Sequence, residues 1–356
     1  IGGGTEGKMM ANKIRKAIDR EEWGITLIEK NKTHYYQPGF LFIPFGIYNK
    51  QDVSKPKSEF FPPGVNIIYS DVKKIEADNN QIQLSEGKAV SYDYLIIATG
   101  TQTRPEETPG LKDKLWYKEI FDFYTLEGAV ALQRFFKSWM GGKLVVAISE
   151  LPFKCPVAPI EFVCLADDFF TKQGIRDKVE ISFVTPLPGA FTKPVATKML
   201  SELLKEKNIE VITDFYIEKV DNDNKALISY DERKVPFDAL TIVPVNMGDD
   251  LIERSGLGDD MNYIPTDKNT LQSKAHENIF VLGDAADLPT SKAGSVAHFA
   301  AEILFENILH AIEGRPLTAQ FDGHANCYIE TGFGKGALID FNYDTEPLPG
   351  TFPLPG

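Results

Sequence analysis

Three cysteines are the first candidates for chemistry in this chain. Cys155 lies in Lys154-Cys-Pro-Val-Ala-Pro159, directly before an apolar segment with helical spacing. A helix N-terminus and a neighbouring lysine both stabilise a thiolate, so we expect Cys155 to have a lowered pKa and to be nucleophilic. Cys164 lies within the apolar segment and is expected to be a packed core thiol. The spacing of Cys327 leaves open whether it meets Cys155 or is a buried, inert thiol.

A glycine-rich turn opens the chain. Gly2, Gly4 and Gly7 form the pattern G-x-G-x-x-G, and a helical pattern follows from Lys8. Such glycines allow a tight turn and bring a dinucleotide pyrophosphate close to the helix N-terminus. About 20 residues later a second strand ends in Glu29, the acid expected to bind the adenosine ribose hydroxyls. A chance glycine-rich turn is the alternative, although strand, helix and acid are in register.

Two further strand ends carry residues suited to the same cofactor. The apolar strand Asn278–Leu282 runs into Gly283 and Asp284, ahead of Lys292 and a long helical pattern. Gly283 permits close approach of a ligand, and Asp284 places a carboxylate where open α/β sheets bind cofactors. An ordinary turn is the alternative. The expected cofactor contacts also include residues beside the ribose acid and at the end of the buried strand Asp93–Gly100: Lys30, Thr99 and Gly100.

A second unit of the same kind lacks its glycine turn. Gly142–Ile148 is predicted to be its first strand and Val179–Val184 its next strand. The residues after the first strand, Ser149–Pro156, contain no G-x-G-x-x-G, and Glu150 would repel a pyrophosphate. The fold is therefore expected to be kept and the nicotinamide site to be lost.

An aromatic, proline-interrupted segment, His34–Phe45, follows the ribose acid and suits neither a regular helix nor a regular strand. Such a loop could lie beside a flat ring system. It could equally be a hydrophobic loop that covers the core, and the sequence leaves both readings open.

Composition limits the partners. The chain of 356 residues, 43% of them hydrophobic, is long enough for about two domains. Its formal charge of -13 argues against a nucleic-acid partner, which requires clustered Lys and Arg. We find no apolar run long enough to span a membrane, no signal peptide and no metal-site motif. Because the glycine turn follows Ile1 at once, several strand residues are expected to precede it in the natural chain.

Taken in chain order, these motifs resemble those of the sulfide:quinone oxidoreductases, a branch of the flavoprotein reductases with two dinucleotide-binding domains. The nucleotide motifs are shared across that superfamily, whereas the Cys-Pro-x-Ala-Pro segment and the late cysteine are more particular. The resemblance is carried by five segments: Gly2–Gly7, Ala98–Gly100, Lys154–Pro159, Gly283–Lys292 and Cys327–Glu330.

The resemblance implies an α/β fold with two Rossmann-like dinucleotide-binding domains. The FAD-binding domain is discontinuous, with residues 1–105 and 246–320 as its two parts. A second Rossmann-like domain with a degenerate nucleotide site, residues 106–245, is inserted between them. Residues 321–356 form a short C-terminal segment on the quinone and membrane side.

The resemblance also implies an enzyme that oxidises hydrogen sulfide to polysulfide and reduces a membrane quinone through FAD. Cys155 and Cys327 correspond to the redox-active cysteine pair of the family, and Lys292 is expected near the flavin. Hydrosulfide would attack a bridge between the two cysteines, leaving a persulfide on Cys155. The freed Cys327 thiolate would then pass two electrons to the flavin.

Quinone is expected in an apolar pocket, and the alternative role of its lining residues is simple packing. The predicted lining consists of three late aromatic residues: Tyr328, Phe333 and Phe341. Peripheral attachment to a membrane face, on a side that the sequence does not specify, is implied by the resemblance alone. A homo-oligomer is one of the states open to the chain.

Many members of the family have a third essential cysteine in the region that here spans Thr101 to Gly142, and this chain has none there. Either two cysteines suffice or Cys164 takes its place. Three other functions stay open. They are an NAD(P)H-dependent flavin reductase, a flavocytochrome c subunit that passes electrons to a haem partner, and a non-catalytic FAD-binding redox sensor.

Overall fold

The computed structural model describes residues 1–348, so the predicted C-terminal segment falls partly outside the described residues. Helices and strands alternate over most of this range, which confirms the predicted α/β class. The helices are α1 (Thr5–Ala17), α2 (Leu126–Phe136), α3 (Ala158–Lys172), α4 (Pro194–Glu206), α5 (Asp250–Ser255) and α6 (Gly294–Ile312).

The strands fall into three stretches of the chain. The first holds β1 (Thr26–Glu29), β2 (Thr33–Tyr35), β3 (Ser54–Pro56), β4 (Asn66–Tyr69), β5 (Val72–Glu76), β6 (Gln81–Leu84), β7 (Ala89–Ser91), β8 (Leu95–Ile97) and β9 (Thr101–Arg104). The second holds β10 (Ile120–Phe121), β11 (Gly142–Ile148), β12 (Val179–Val184), β13 (Glu210–Ile212), β14 (Ile217–Asp221), β15 (Ala226–Ser229), β16 (Lys234–Pro236), β17 (Ala239–Val243) and β18 (Val245–Gly248). The third holds β19 (Ile264–Pro265), β20 (Ile279–Val281), β21 (Ala286–Asp287), β22 (Ala325–Gly332) and β23 (Lys335–Phe341).

The first parallel sheet carries both predicted cofactor turns. β1 pairs with β4, and β8 pairs with β20. Ile1 and Gly2 lie between these pairs, because the Gly2 N–H donates to Ile28 O at 3.0 Å and the Ala98 N–H donates to Ile1 O at 2.9 Å. The carboxyl ends of these parallel strands meet at one edge of the sheet. The turn after Ile1 and the turn at Gly283 therefore open on the same side.

The second parallel sheet has five strands in the order β10–β17–β11–β12–β13. Its central strands are largely buried: β17 along its whole length and β11 from Leu144 to Ile148, as expected for parallel strands covered on both faces. The bounds of β11 and β12 are those that the sequence predicts. The five-stranded parallel sheet confirms the second Rossmann-like unit.

Antiparallel pairs connect and flank the two parallel sheets. β9 pairs with β18, and these strands lie close to the predicted domain boundaries at residues 105 and 245. β22 and β23 form a hairpin that packs on α3 and α6. The division into domains at these residues and at 320 stays a prediction.

The segment His34–Phe45 covers the core. It contains a short 3-10 helix from Gln37 to Phe42, and its Phe45 ring is buried, with its centroid 5.0 Å from that of Phe162 on α3. The structure thus supports the core-covering alternative for this segment. None of the helices in the described part of the chain has the length and apolar content required to cross a membrane.

Candidate active site

The turn at Gly2–Gly7 is closed so tightly that it requires glycine. Gly2 has φ +93°, and a Cβ atom on Gly7 would lie 1.8 Å from the carbonyl oxygen of Gly2. The helix α1 begins at once, and its N-cap residue Gly4 has no side chain to cap the first-turn N–H groups. These groups are available to an anionic ligand such as a diphosphate.

Glu29 ends β1 beneath this turn, where the sequence predicts a ribose-binding acid. Its Oε2 accepts the Gly3 N–H at 2.6 Å and lies 2.6 Å from the Lys57 ammonium. Lys57 is equally buried and was not predicted, since nothing in its local sequence distinguishes it from a surface lysine. Lys30, by contrast, forms an ion pair with Asp249 at 3.0 Å.

The neighbouring strand end fits a dinucleotide as well. Thr99 follows β8, and its backbone nitrogen would lie 3.1 Å from a Cβ atom on Gly2. Among the described residues the buried Thr99 Oγ1 has no hydrogen-bond partner, so it is free to bind a ligand. Gly100, with φ +68°, then turns the chain away from this edge. The glycine turn, the acid and this hydroxyl together fit the diphosphate and ribose of a dinucleotide.

The second turn holds a buried cation. Gly283 has φ +73°, and Lys292 Nζ donates to the carbonyl oxygens of Asp284 at 2.8 Å and Ala286 at 3.1 Å. The ammonium also lies 3.7 Å from the centre of the Tyr263 ring. Burial lowers the pKa of Lys292 to about 8, against the opposing effect of the Asp284 carboxylate. The turn thus presents a fixed positive charge at the edge of the first sheet.

Cys155 is tied to this second turn through its backbone. Its N–H donates to Lys292 O at 2.7 Å, and its carbonyl oxygen accepts the Ala158 N–H at 3.0 Å. The hydroxyl of the buried Tyr124 donates to the same carbonyl at 3.3 Å. These bonds hold Cys155 at φ +53°, a left-handed conformation that is uncommon for residues other than glycine. Such a conformation re-aims the chain just before α3.

The predicted lowering of the Cys155 pKa is wrong. Burial raises the pKa of this thiol, and the nearby Glu161 carboxylate and Cys327 thiol raise it further. Lys154 is near enough to interact with the thiolate charge, but its Nζ donates to Gln37 Oε1 at 2.7 Å and its attraction is outweighed by burial. A base is therefore required to generate the reactive thiolate.

Cys327 lies on β22, which packs against α3, so the structure brings the two candidate thiols into one region. They are close enough for the charge of Cys327 to raise the pKa of Cys155. Burial, and then Glu161, raises the pKa of Cys327 to about 12. All three cysteines of the chain, each within the described residues, are free.

Glu161 is the site residue that sequence reasoning missed. It lies in the first turn of α3, and its Oε1 accepts the backbone N–H of Glu330 at 3.0 Å. Its charge raises the pKa of both Cys155 and Cys327, which places the carboxyl near both thiols. Burial raises the pKa of Glu161 itself to about 7. The available signal was an acidic residue inside the apolar run Pro159–Leu165.

Cys164 has no exposed surface, and burial raises its pKa to about 12. The prediction that it is a packed core thiol is confirmed.

The three aromatic residues predicted for the quinone pocket are not brought together. Tyr328 is 74% exposed, Phe333 is 46% exposed in the hairpin turn, and Phe341 is 2% exposed in the core. Side chains alternate across a strand, so Tyr328 faces away from Cys327. Phe341 pairs with Ala325 at the opposite end of the hairpin from Phe333 and packs on Phe191. A single aromatic wall is therefore not formed, and Phe341 is a core residue.

Similar proteins were found by sequence and by structure. No known family profile matches the chain. The mitochondrial sulfide:quinone oxidoreductase of Dictyostelium discoideum is 29% identical over 97% of this chain and 77% of its own length. The mitochondrial enzyme of the same name from Mus musculus is 27% identical over 99% of this chain and 79% of its own.

Among solved structures, the sulfide:quinone oxidoreductase of Aquifex aeolicus superposes with a TM-score of 0.83 at 20% identity, covering 96% of this chain and 82% of that chain. At this identity the superposition establishes the fold alone. The sequence relatives establish common ancestry over almost the full length. The chain is a homologue of the sulfide:quinone oxidoreductases.

Proposed function

We propose that the protein is a flavoprotein that binds FAD, oxidises hydrogen sulfide to polysulfide and reduces a quinone. One observation carries the proposal: two free thiols, Cys155 and Cys327, share a buried carboxyl. One of them is tied by its backbone to the turn that holds Lys292 and Asp284. The names of the sequence relatives support this reading.

The proposed FAD site is the common edge of the first sheet. The N–H groups of α1 and the turn at Gly2–Gly7 would hold the diphosphate, and Glu29 the adenosine ribose. Gly283 and Asp284 would contact the flavin half, with the Lys292 ammonium close by. Bound FAD supplies two-electron redox chemistry that links sulfide oxidation to quinone reduction.

The positions of the thiols favour the opposite division of roles from the one that the resemblance implies. The Asp284 carboxylate contributes to the raised pKa of Cys155, whereas Cys327 is influenced by Glu161 alone after burial. Cys155 is also the thiol whose backbone is bonded to Lys292. We therefore assign Cys155 to the cofactor side and Cys327 to the sulfide side.

With this assignment, the sulfur chemistry begins at Cys327. Hydrosulfide attacks Cys327 in a Cys155–Cys327 disulfide, the S–S bond breaks, and Cys155 leaves as a thiolate. The product on Cys327 is a persulfide. Re-formation of the bridge between the Cys155 thiolate and this persulfide forms a new S–S bond and leaves one extra sulfur in the bridge. The two electrons that this oxidation releases would pass to the bound FAD, and the proton of the persulfide would pass to a base. Each further hydrosulfide adds one sulfur by the same two steps. Polysulfide leaves when the Cys155 thiolate attacks Cys327 Sγ instead, because this breaks the bond from Cys327 to the terminal sulfur chain and re-forms the disulfide.

Glu161 is placed to take the proton. Its raised pKa of about 7 means that it changes protonation near neutral pH, which suits a general base. The hydrogen bond from the Glu330 N–H fixes the orientation of one carboxyl oxygen. Glu161 thus provides a base for the persulfide proton that is released when the bridge re-forms.

Quinone reduction and membrane attachment form the less detailed part of the proposal. Tyr328 and Phe333 are the exposed members of the predicted aromatic set and remain its quinone candidates. Because quinones partition into lipid, we propose peripheral attachment to a membrane face. Flotation of the purified protein with anionic and neutral lipid vesicles tests this, and protein that floats with neither kind of vesicle would overturn it.

Anaerobic mixing of the purified yellow protein with sulfide tests the function. We expect the flavin absorbance to bleach and a short-chain quinone to restore it. Failure of sulfide to bleach the flavin would identify a redox sensor instead. Bleaching by NADH would identify a nicotinamide-dependent reductase. Reoxidation by cytochrome but not by quinone would identify a flavocytochrome-type subunit.

A further inference from the structure

An acidic side chain lies at the proposed diphosphate site. Glu6 is in the first turn of α1, between Gly4 and Gly7. Its side chain crosses to the second turn: a Cβ atom on Gly283 would lie 2.8 Å from Glu6 Cγ and 2.9 Å from its Oε1. A Cβ atom on Gly4 would lie 3.5 Å from the other carboxyl oxygen. The Glu6 carboxyl therefore touches both glycine turns that frame the site.

Charged groups from three elements face this carboxyl. Asp284, on the second turn, opposes its ionisation. Lys154, ahead of α3, and Lys8, on α1 itself, favour ionisation. Burial is the largest effect, and the balance raises the pKa of Glu6 to about 7. An ordinary glutamate at a helix N-terminus would be ionised and stabilising there, so burial beside a second carboxylate reverses the usual preference.

We propose that Glu6 is a cofactor-site residue whose carboxyl must carry a proton for the FAD diphosphate to bind at the start of α1. The inference rests on the proposed flavoprotein function. Ionised Glu6 would place a negative charge against two phosphate charges in a cleft that FAD itself closes to water. Protonated Glu6 removes that repulsion and supplies an O–H that donates to a phosphate oxygen.

The proposal predicts proton uptake on FAD binding. At a pH above the pKa of free Glu6, each FAD bound takes up about one proton, so FAD affinity falls as pH rises. Between about pH 6 and about pH 8.5 the Kd should rise about 30-fold when one group with a pKa near 7 must be protonated. Below this window the affinity should be nearly independent of pH.

The test measures FAD release from the holoprotein, not turnover. Free FAD fluoresces more strongly than bound FAD, so dilution of the holoprotein at several pH values gives the Kd at each pH. Glu6→Gln keeps the size and hydrogen-bonding capacity of the side chain but cannot ionise. We expect it to bind FAD with a Kd that is nearly flat across the pH window, and Glu22→Gln, an exposed carboxyl change, to behave as the wild type.

The outcomes separate this inference from the proposed function. If the Kd for FAD rises equally with pH in the wild type and in Glu6→Gln, the proposed role of Glu6 is wrong. If the pH dependence of the Kd is kept in Glu6→Gln but lost in Asp284→Asn, the proton is on Asp284 and the proposed role of Glu6 is again wrong. If Glu6→Gln does not fold, Glu6→Ala answers the same question. A wild-type protein that binds no FAD at any pH contradicts the proposed function itself.

Discussion

The backbone N–H of Cys155 donates a hydrogen bond of 2.7 Å to the carbonyl oxygen of Lys292. This bond joins the loop between β11 and α3 to the segment between β21 and α6. The backbone of Cys155 is therefore fixed relative to residue 292 by a main-chain hydrogen bond. Because Lys292 also holds the Asp284 carbonyl, one residue fixes both the cofactor turn and the thiol segment.

The first prediction concerns which thiols are required. Cys155→Ser and Cys327→Ser should each reduce steady-state sulfide-dependent quinone reduction by about 100-fold or more, because each removes one end of the sulfur bridge. Cys164→Ser should keep most of the activity, since its thiol is a core group. A loss in Cys164→Ser as large as that in Cys155→Ser would show that the wrong pair has been chosen.

The division of roles between the two thiols has its own spectroscopic test. With Cys327 replaced by Ser, the remaining Cys155 thiolate should lie beside the flavin and give a long-wavelength absorbance that grows as pH rises. Cys155→Ser should lack this band at every pH. If Cys155→Ser shows the band and Cys327→Ser does not, Cys327 is the thiol beside the flavin.

Glu161→Gln should slow single-turnover reduction of the flavin by sulfide by about 100-fold, because a general base contributes roughly that much. The side chain keeps its acceptor for the Glu330 N–H, so the fold should be unaffected. In the wild type the rate should rise with pH through about 7, the pKa of Glu161. Sulfide ionisation is the same for both proteins, so the ratio of their rates isolates residue 161. A ratio that does not change with pH would exclude Glu161 as the base.

Glu161 should also make stability depend on pH. Its pKa in the folded protein is raised from an ordinary 4.5 to about 7, so the folded state binds more protons than the unfolded state between these values. The free energy of unfolding should therefore fall as pH rises through that window, by up to ~3 kcal/mol relative to Glu161→Gln. Denaturant midpoints across pH measure the difference. Glu202 is exposed, so the free energy of unfolding of Glu202→Gln should change with pH as that of the wild type does. The same pH dependence in wild type, Glu161→Gln and Glu202→Gln would contradict the raised pKa of Glu161.

Cofactor retention tests the placement of FAD. Glu29→Ala combined with Asp284→Ala should leave a colourless protein, because both turns lose their acid. Lys30→Ala should stay yellow, since Lys30 is paired with Asp249. Absorbance of the purified proteins at equal concentration gives the flavin content. Full flavin in the double variant would show that the site lies elsewhere.

The aromatic residues of the hairpin should separate into structural and surface groups. Phe341→Ala should lower the free energy of unfolding by about 3–5 kcal/mol, as for other buried phenylalanines. Tyr328→Ala should change it by less than about 0.5 kcal/mol, because the side chain is exposed. Denaturant unfolding of the two variants checks both values. Comparable losses in both would mean that Tyr328 is covered in the folded protein.

Much of the first sheet follows from sequence because its signals are local. The glycine turn, Glu29 and Gly283 each follow a short apolar strand, and parallel strands bring such ends to one edge. β11 and β12 were predicted at their observed bounds. β11 contains the continuous apolar run 144–148, and β12 places apolar residues at alternate positions.

What the sequence could not provide depends on contacts between distant segments. Glu161 matters because β22 packs on α3, and no pattern around residue 161 encodes that packing. The pKa of Cys155 was misjudged for the same reason, since the helix and the lysine are local, whereas the burial that outweighs them depends on distant segments. The predicted aromatic wall of the quinone pocket is not formed, because side chains alternate along a strand and Tyr328 and Phe341 lie on opposite faces of the hairpin. The prediction used only the positions of the aromatic residues late in the sequence and did not consider this alternation.

The pairing of β8 with β20 has a consequence for synthesis on the ribosome. The strands of the five-stranded sheet have all been synthesised once residue 243 has emerged. One edge of β8 lies beside Ile1, whereas its other edge can pair with β20 only after residues 279–281 have emerged. Because domains fold as they are made, we expect the inserted sheet to form while the first sheet is still open. A nascent chain thus exposes the edge of β8 late in translation, and the two turns of the cofactor site face each other only when most of the protein already exists.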